Sequence, residues 1–300
     1  MGEFGFDESS VRSLLEEQHP DLAGLALRRV EGGWDNRMWR LGEDLAVRLP
    51  RTPRAPALLR KEHRWLPRIA PRLPLPVPVP VRAGAPSDRF PHFWTVTTWV
   101  AGEPADRAPI ARAHAAEALA AFLKALHRPA PAGAPADPHR GAPLGALAEE
   151  ADRRFRAMAE SGEDTAALEA VWNDALAAPE WDGPPLWLHG DLHPANVVVE
   201  DGTLAGVIDF GDLCSGDPAA DLAAAWLLLP AGAARRCFDA YAGADEAAIR
   251  RARGAALLKS LVLIEIGRAG DLGLTGGKPT WGPAGRAALE RLLAFDPASR

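Results

Sequence analysis

The residues best able to do chemistry lie in two short segments. One is Leu188-His189-Gly190-Asp191-Leu192-His193-Pro194-Ala195-Asn196, and the other is Ile208-Asp209-Phe210-Gly211-Asp212. Asp191 and Asn196 are five residues apart and flank a proline-containing loop. Between the segments, two apolar runs, 197–200 and 204–208, are separated by Asp201-Gly202. Asp-Gly between apolar runs favours a tight hairpin turn. That turn lies about midway between Asn196 and Asp209, so the hairpin predicts that both return to the same end. The oxygens of Asp191, Asn196 and Asp209 then converge. A carboxylate and an amide oxygen form a hard donor set that suits Mg²⁺, which binds one or two carboxylates together with phosphates. With Asn196 and Asp209 as metal ligands, Asp191 is left to accept a proton from a hydroxyl. Positioning and charge neutralisation of this kind are most of what phosphoryl transfer needs. An isolated Asp or Asn in a loop is usually a turn or cap residue. Here several spaced identities coincide, which separates this pattern from the ordinary loop.

The elements around these segments fall into two kinds. Residues 8–18 carry apolar positions at helical spacing, with Ser9 or Ser10 as the expected cap. Three strand-like runs follow at 27–32, 37–41 and 45–49, joined by gaps short enough for antiparallel hairpins. A helix is expected over 56–69. The alternating prolines of 73–81 forbid a helix and suit an extended connector or edge strand. Residues 93–100 are rich in aromatic and β-branched types and read as a strand. The remainder reads as helical near 109–127, 143–160, 165–178, 218–229, 233–242, 246–268 and 283–294. A short strand at 186–188 and the hairpin interrupt it. The Pro/Ala/Gly stretch 129–143 reads as a surface loop or linker. Asp217 is the expected cap of the next helix, with Pro218 at its first position.

The segments HGDLHPANVV and VIDFGD resemble the catalytic and metal-binding segments of the aminoglycoside phosphotransferase family. That family groups with choline kinase-like small-molecule kinases and is related to protein kinases. The resemblance implies an α+β, bilobal protein-kinase-like fold. Its parts would be an N-lobe over 1–98 that binds nucleotide, a hinge at 99–103, and a helical C-lobe over 104–300 carrying the catalytic and acceptor sites. It implies Asp191 as catalytic base, Asn196 and Asp209 as Mg²⁺ ligands, and ATP or GTP as phosphate donor. Gly190 stands where protein kinases have Arg, and the short path from Phe210 to Asp217 leaves little room for an activation segment. Arg48 stands where the family pattern usually has Lys, with Glu62 as its natural partner. Arg can still contact phosphates through two donors. Gly32-Gly33-Trp34-Asp35-Asn36 takes the place of the glycine-rich loop without being GxGxxG, and Thr98, Trp99 and Val100 lie where backbone groups would hold a purine. His189 and Asp221 are expected to support the loop. His193, Asp212, Glu265 and Asp271 are candidate acceptor contacts, the last two equally readable as a solvated helix end. The acceptor implied is an aminoglycoside or another antibiotic. The alternatives are a macrolide, or a metabolite such as choline, homoserine, a sugar or fructosamine. A catalytically weak nucleotide-binding regulator is the reading from another class.

Composition sets outer bounds. The chain has 300 residues with 47% hydrophobic and 25% charged, an ordinary globular balance. The net charge of -6 argues against a phosphate-gripping nucleic-acid binder. Two cysteines, Cys214 and Cys237, read as reduced thiols of a cytoplasmic protein, because they form neither a disulfide framework nor a zinc pattern. MGEFGFDESS has no apolar signal core, and no run approaches the ~18 apolar residues that span a bilayer. The expected partners are a nucleoside triphosphate and a small acceptor, with no nucleic acid or membrane, acting as monomer or homodimer. Asp191→Ala is expected to lower kcat at least ~10²-fold, the scale of losing a positioned base. Near-normal turnover in that variant would remove the assigned role.

Overall fold

The structure is a computed structural model that describes residues 7–31 and 33–295. Gly32 and the N-terminal residues read above for an export signal lie outside the described residues. The chain divides into two compact units. One is Met1–Pro71 with Pro76–Val100, and the other is Arg72–Leu75 with Ala101–Arg300.

The first unit opens with α1 (Glu8–Gln18) and continues through β1 (Leu27–Val30), β2 (Asn36–Leu41), β3 (Leu45–Pro50), α2 (Ala55–Ile69), β4 (Pro80–Gly84) and β5 (Trp94–Thr98). Its sheet has the order β1-β2-β3-β5-β4 and is antiparallel throughout. The cap of α1 is Asp7, not Ser9 or Ser10, since the Asp7 carboxylate accepts from Ser10 N–H at 2.9 Å. One face of α1 buries Val11, Leu14 and Leu15 against Trp39, Leu41, Val47, Leu49, Trp94 and Val96. The proline run leads into the edge strand β4, where a missing N–H costs least. Thr98 pins the run, because its hydroxyl accepts from Val79 N–H at 2.9 Å and donates to Val77 O at 3.1 Å.

The second unit contains β6 (Glu103–Pro104), α3 (Ala115–Leu126), α4 (Ala148–Glu160), α5 (Ala166–Leu176), β7 (Leu186–Leu188), β8 (Val197–Glu200), β9 (Thr203–Val207) and β10 (Cys214–Gly216). The helices α6 (Ala219–Leu222), α7 (Ala224–Leu228), α8 (Ala233–Tyr241), α9 (Glu246–Asp271) and α10 (Trp281–Leu293) follow. Helix α9 buries Ala252, Ala256, Leu257, Leu261 and Leu263, and packs on α5, α6 and α10. Two small sheets carry the loops of interest, β6-β8-β9 and β10-β7.

Several expectations shift. Arg72–Leu75, read with the N-terminal part, belong to the second unit, where Arg72 Nε donates to Ala125 O at 2.8 Å. The helix expected from 109 begins at Ala115, because Ala111 and Arg112 N–H both donate to Gly202 O at 3.0 Å. The 218–229 helix is two short ones, α6 and α7. Strands β6 and β10 were not expected. They are too short to show a period and form only because β8 and β7 offer partners. Asp217 does cap α6 from one residue further out, its carboxylate accepting from Ala219 N–H at 2.9 Å. That carboxylate also pairs with Arg251 of α9 at 2.7 Å, with both side chains under 10% exposed. Arg251→Met leaves Asp217 buried without its cation, so a loss of about 3–5 kcal/mol is expected, measured by chemical denaturation.

Candidate active site

All of the following contacts lie within the second unit. The hairpin β8–β9 turns at Asp201 and Gly202, with φ of 51° and 76°. Two successive positive φ values are the two-residue hairpin turn that Asp-Gly favours. Its register pairs Val197 with Val207, and Ile208 N–H donates to Asn196 O at 2.9 Å. Asn196 and Asp209 are therefore brought to one end of the hairpin. Asp209 is exposed and left-handed, with φ 64° and ψ 63°. A non-glycine residue in that region carries local strain, which accumulates at functional sites.

Asn196 is 6% exposed and donates its amide to Asp191 O at 2.8 Å and to the Asp191 carboxylate at 3.3 Å. With its NH₂ group committed there, the amide oxygen is the acceptor end of the side chain. Asn196 and Asp209 together offer hard oxygen donors of the kind Mg²⁺ takes alongside phosphates. Among the described residues no group of three or more His, Cys, Asp or Glu is set to hold a metal ion.

The loop is held from beneath by Asp221, 1% exposed. Its carboxylate accepts from His189 N–H at 2.6 Å and Gly190 N–H at 3.0 Å, and lies 3.4 Å from His127 Nε2. Burial pushes the Asp221 pKa up, but the hydrogen bond and charge of His127 and the charge and N–H of His189 prevail, so it is held below the ordinary aspartate value. His189 is fully buried. Its Nδ1 accepts from Asp191 N–H at 3.2 Å, so its Nε2 carries the proton donated to Ile208 O at 2.9 Å. One imidazole thus links the loop to the far end of the hairpin. Gly190 has φ of 80°, and a β-carbon there would lie 2.7 Å from Asp212 O. The residue that replaces the kinase Arg is therefore dictated by backbone shape.

Asp191, 20% exposed, is more crowded than the sequence suggests. Lys259 Nζ from α9 lies 2.6 Å from its Oδ1, Arg140 Nη1 lies 2.9 Å from the same oxygen, and His193 Nε2 lies 3.5 Å from Oδ2. Burial opposes its ionisation, yet Lys259, His193 and Arg140 hold its pKa well below the ordinary value. Arg140 also pairs with Asp212 at 2.8 Å and donates to Gly190 O at 3.0 Å. Arg140 and Lys259 are the two residues that sequence reasoning missed. Arg140 sits in the Pro/Ala/Gly stretch read as a linker, but that stretch is a strap along β7 and β10. Ala130 N–H donates to Pro185 O at 2.9 Å, Ser215 N–H to Pro135 O at 2.8 Å, and Asp217 N–H to Gly141 O at 2.9 Å. Lys259 read only as a break in an apolar helix.

The other expected contacts are placed as follows. His193 is 3% exposed, edge-on to Trp281 at 4.7 Å, so it packs inside the loop instead of facing outward for an acceptor. Asp212 is spent on Arg140. Glu265 is exposed and pairs with Arg154 at 3.2 Å, and Asp271 is the exposed last residue of α9. In the first unit Arg48 and Glu62, both buried, meet at 2.5 Å. The Asp35 carboxylate takes the Thr52 hydroxyl at 2.5 Å and Arg54 at 2.6 and 3.0 Å, while Arg51 reaches Gly33 O at 3.3 Å. Trp34 is 41% exposed and Asn36 is buried. Thr98 and Trp99 cannot offer their N–H groups to a purine as expected, because these donate to Val79 O at 2.9 Å and Asp44 O at 2.7 Å. Arg40 stacks on Trp99 at 5.2 Å, and Val100 is buried.

A loop carrying an Asp and an Asn, a hairpin and a second Asp, beneath a lobe of helices, is the arrangement of a phosphotransferase of the kinase type. The sequence pattern of the phosphotransferase enzyme family, APH, matches residues 26–255, and the chain belongs to that family. Among solved structures it is similar to the GDP complex of wild-type aminoglycoside 2'-phosphotransferase-IIIa. The TM-score is 0.69 at 20% identity, covering 96% of this chain and 99% of that one. The GDP and kanamycin complex of APH(2")-IIia gives 0.67 at 21% identity, with 95% and 98% covered. Macrolide 2'-phosphotransferase MphH from Brachybacterium faecium, as apoenzyme, gives 0.60 at 23%, with 92% and 97% covered. These likenesses show the shared protein-kinase-like fold. No match is found among curated proteins.

Gly190→Ala combines an unfavourable φ with a contact to Asp212 O. A loss of about 1–3 kcal/mol is expected, read as a lowered unfolding midpoint. Asp221 contributes stability that is complete above the ordinary carboxylate pKa and is lost as pH falls through its own lower pKa. Asp221→Asn is therefore expected to flatten the acid side of the stability–pH curve, measured by denaturation between about pH 3 and 7.

Proposed function

We propose that the protein transfers the terminal phosphate of ATP or GTP to a hydroxyl of a small molecule of the antibiotic type, in the cytoplasm, with Mg²⁺. The observation that carries this reading is the junction of the loop and the hairpin. Asn196 holds Asp191 through its side chain at 2.8 Å and Ile208, next to Asp209, through its backbone at 2.9 Å. In this reading Asn196 and Asp209 hold Mg²⁺, which when bound neutralises charge on the nucleotide phosphates.

Asp191 then orients the acceptor hydroxyl and takes its proton. Its low pKa makes it a weak base, so its main contribution is to aim the hydroxyl, while proton transfer comes late. Arg48, fixed by Glu62, is assigned to the nucleotide phosphates. The backbone from Gly33 to Asn36 is assigned to the same ligand, and Val100 to the base. The similar proteins named as aminoglycoside and macrolide phosphotransferases make both kinds of molecule candidate acceptors here. Neither a nucleic acid nor a membrane takes part in this proposal, and no helix among the described residues is long and apolar enough to cross a membrane.

The test is transfer of labelled phosphate from ATP and from GTP to a panel of aminoglycosides, macrolides and small metabolic alcohols. Product on one class with either nucleotide supports the proposal, while nucleotide binding without any transfer sinks it. Asn196→Ala is expected to raise the Mg²⁺ concentration for half-maximal rate about tenfold or more, the scale of losing about 1.4 kcal/mol of ligand binding. An unchanged Mg²⁺ dependence would remove Asn196 from the metal site.

A further inference from the structure

The reading above leaves two classes of acceptor, and they differ in charge. An aminoglycoside is a polycation and needs surplus carboxylates near the reacting hydroxyl. A macrolide is largely apolar with few charges. An acceptor hydroxyl handled by Asp191 must come within hydrogen-bond distance of its carboxylate. Whatever else the acceptor carries beside that hydroxyl then faces the neighbours of Asp191.

Those neighbours are cations. Arg140 Nη1 and Lys259 Nζ both sit within 3 Å of Asp191 Oδ1, at 2.9 and 2.6 Å. They are 22% and 26% exposed, so they border the open side of the carboxylate and are not sealed beneath it. The second nearby carboxylate, Asp212, is spent on Arg140 at 2.8 Å. Two carboxylates therefore meet two cations. Of the other acidic candidates, Glu265 shares Arg154 with Glu150, at 3.2 and 2.7 Å. The remaining partner of Asp191 is His193, packed against the ring of Trp281.

We propose that Lys259 is a specificity-determining residue that cancels the negative charge of the acceptor site, excluding polycationic acceptors in favour of neutral or sparsely charged hydroxylated ones. The proposal rests on the kinase reading for the identity of Asp191 as the acceptor-handling group. Lys259 is the informative member of the pair. Arg140 also holds Asp212 and Gly190 O, so it is part of the loop framework, whereas the printed polar contact of Lys259 is with Asp191 alone.

The experiment is calorimetric binding of neomycin, a polycation, and of erythromycin to the full chain, its Lys259→Met variant and its Lys259→Arg variant. Removing the cation leaves two carboxylates against Arg140 alone. Neomycin is then expected to bind at least about fivefold tighter to Lys259→Met than to the unaltered protein, with the gain shrinking as salt is raised. Lys259→Arg keeps the charge and is expected to stay within about twofold of the unaltered protein. Erythromycin affinity is expected to change less than neomycin affinity. Equal neomycin binding by all three proteins overturns the proposal, as does an equal gain in Lys259→Arg. Binding is read without turnover, so this outcome is separate from the transfer screen. A protein that transfers no phosphate still reports whether Lys259 sets the charge preference.

Discussion

The second unit is organised around one buried carboxylate. Asp221 lies in the short α6, and both its oxygens go to backbone N–H groups of the loop at His189 and Gly190. An uncompensated charge in that position would be costly, and the two N–H donors with His127 are what make it tolerable. His127 is itself held by the Tyr241 hydroxyl at 2.9 Å, so a helix start, a loop and two further helices share one anchor. From that anchor the loop takes its shape. Gly190 turns with a positive φ, Asp191 N–H finds the His189 ring, and the same ring reaches Ile208 O. The three functional oxygens are placed by groups that do no chemistry themselves.

The same loop illustrates a balance between holding a carboxylate and leaving it reactive. Asp191 is fixed by two cations and an amide, which keeps it ionised and directed. It also makes the group a poor proton acceptor. Phosphoryl transfer tolerates that, because the leaving phosphate bond breaks well before the attacking hydroxyl needs to lose its proton. A reaction requiring early deprotonation would not suit this arrangement. The geometry is selective about chemistry as well as about acceptors.

Sequence gave access to what is local and to what is patterned. The α1 and α2 helices, the antiparallel strands and the Asp201-Gly202 turn each announce themselves within a few residues, through period or turn chemistry. Asp191, Asn196 and Asp209 were legible because their spacing across one hairpin is constrained by the hairpin itself. Arg48 and Glu62 were legible as a pair because strand and helix lie close in the chain. Arg140 and Lys259 were not, for a different reason in each case. Arg140 lies in a stretch without periodicity, and only long-range backbone bonds to β7 and β10 bring it in. Lys259 lies in a helix whose pattern gives a cation no role, and its partner is 68 residues away. His193 and Asp212 had the right residue types in the right segment, but direction and burial decided against outward contact.

The strap through Pro135 and Gly141 is secured by main-chain atoms, its carbonyls accepting from Ser215 and Asp217 and its Ala130 N–H reaching Pro185. Bonds of that kind do not depend on which side chains the segment bears. Arg140 is therefore mounted on a rail whose fastening is nearly independent of its own sequence. Such a segment can trade residues along its length while the catalytic loop stays in register. That separates the part of the molecule that must be conserved for chemistry from the part free to drift toward a new acceptor. In a family that meets chemically diverse hydroxyls, this is a structural basis for evolvability, located in the stretch that looks least like structure.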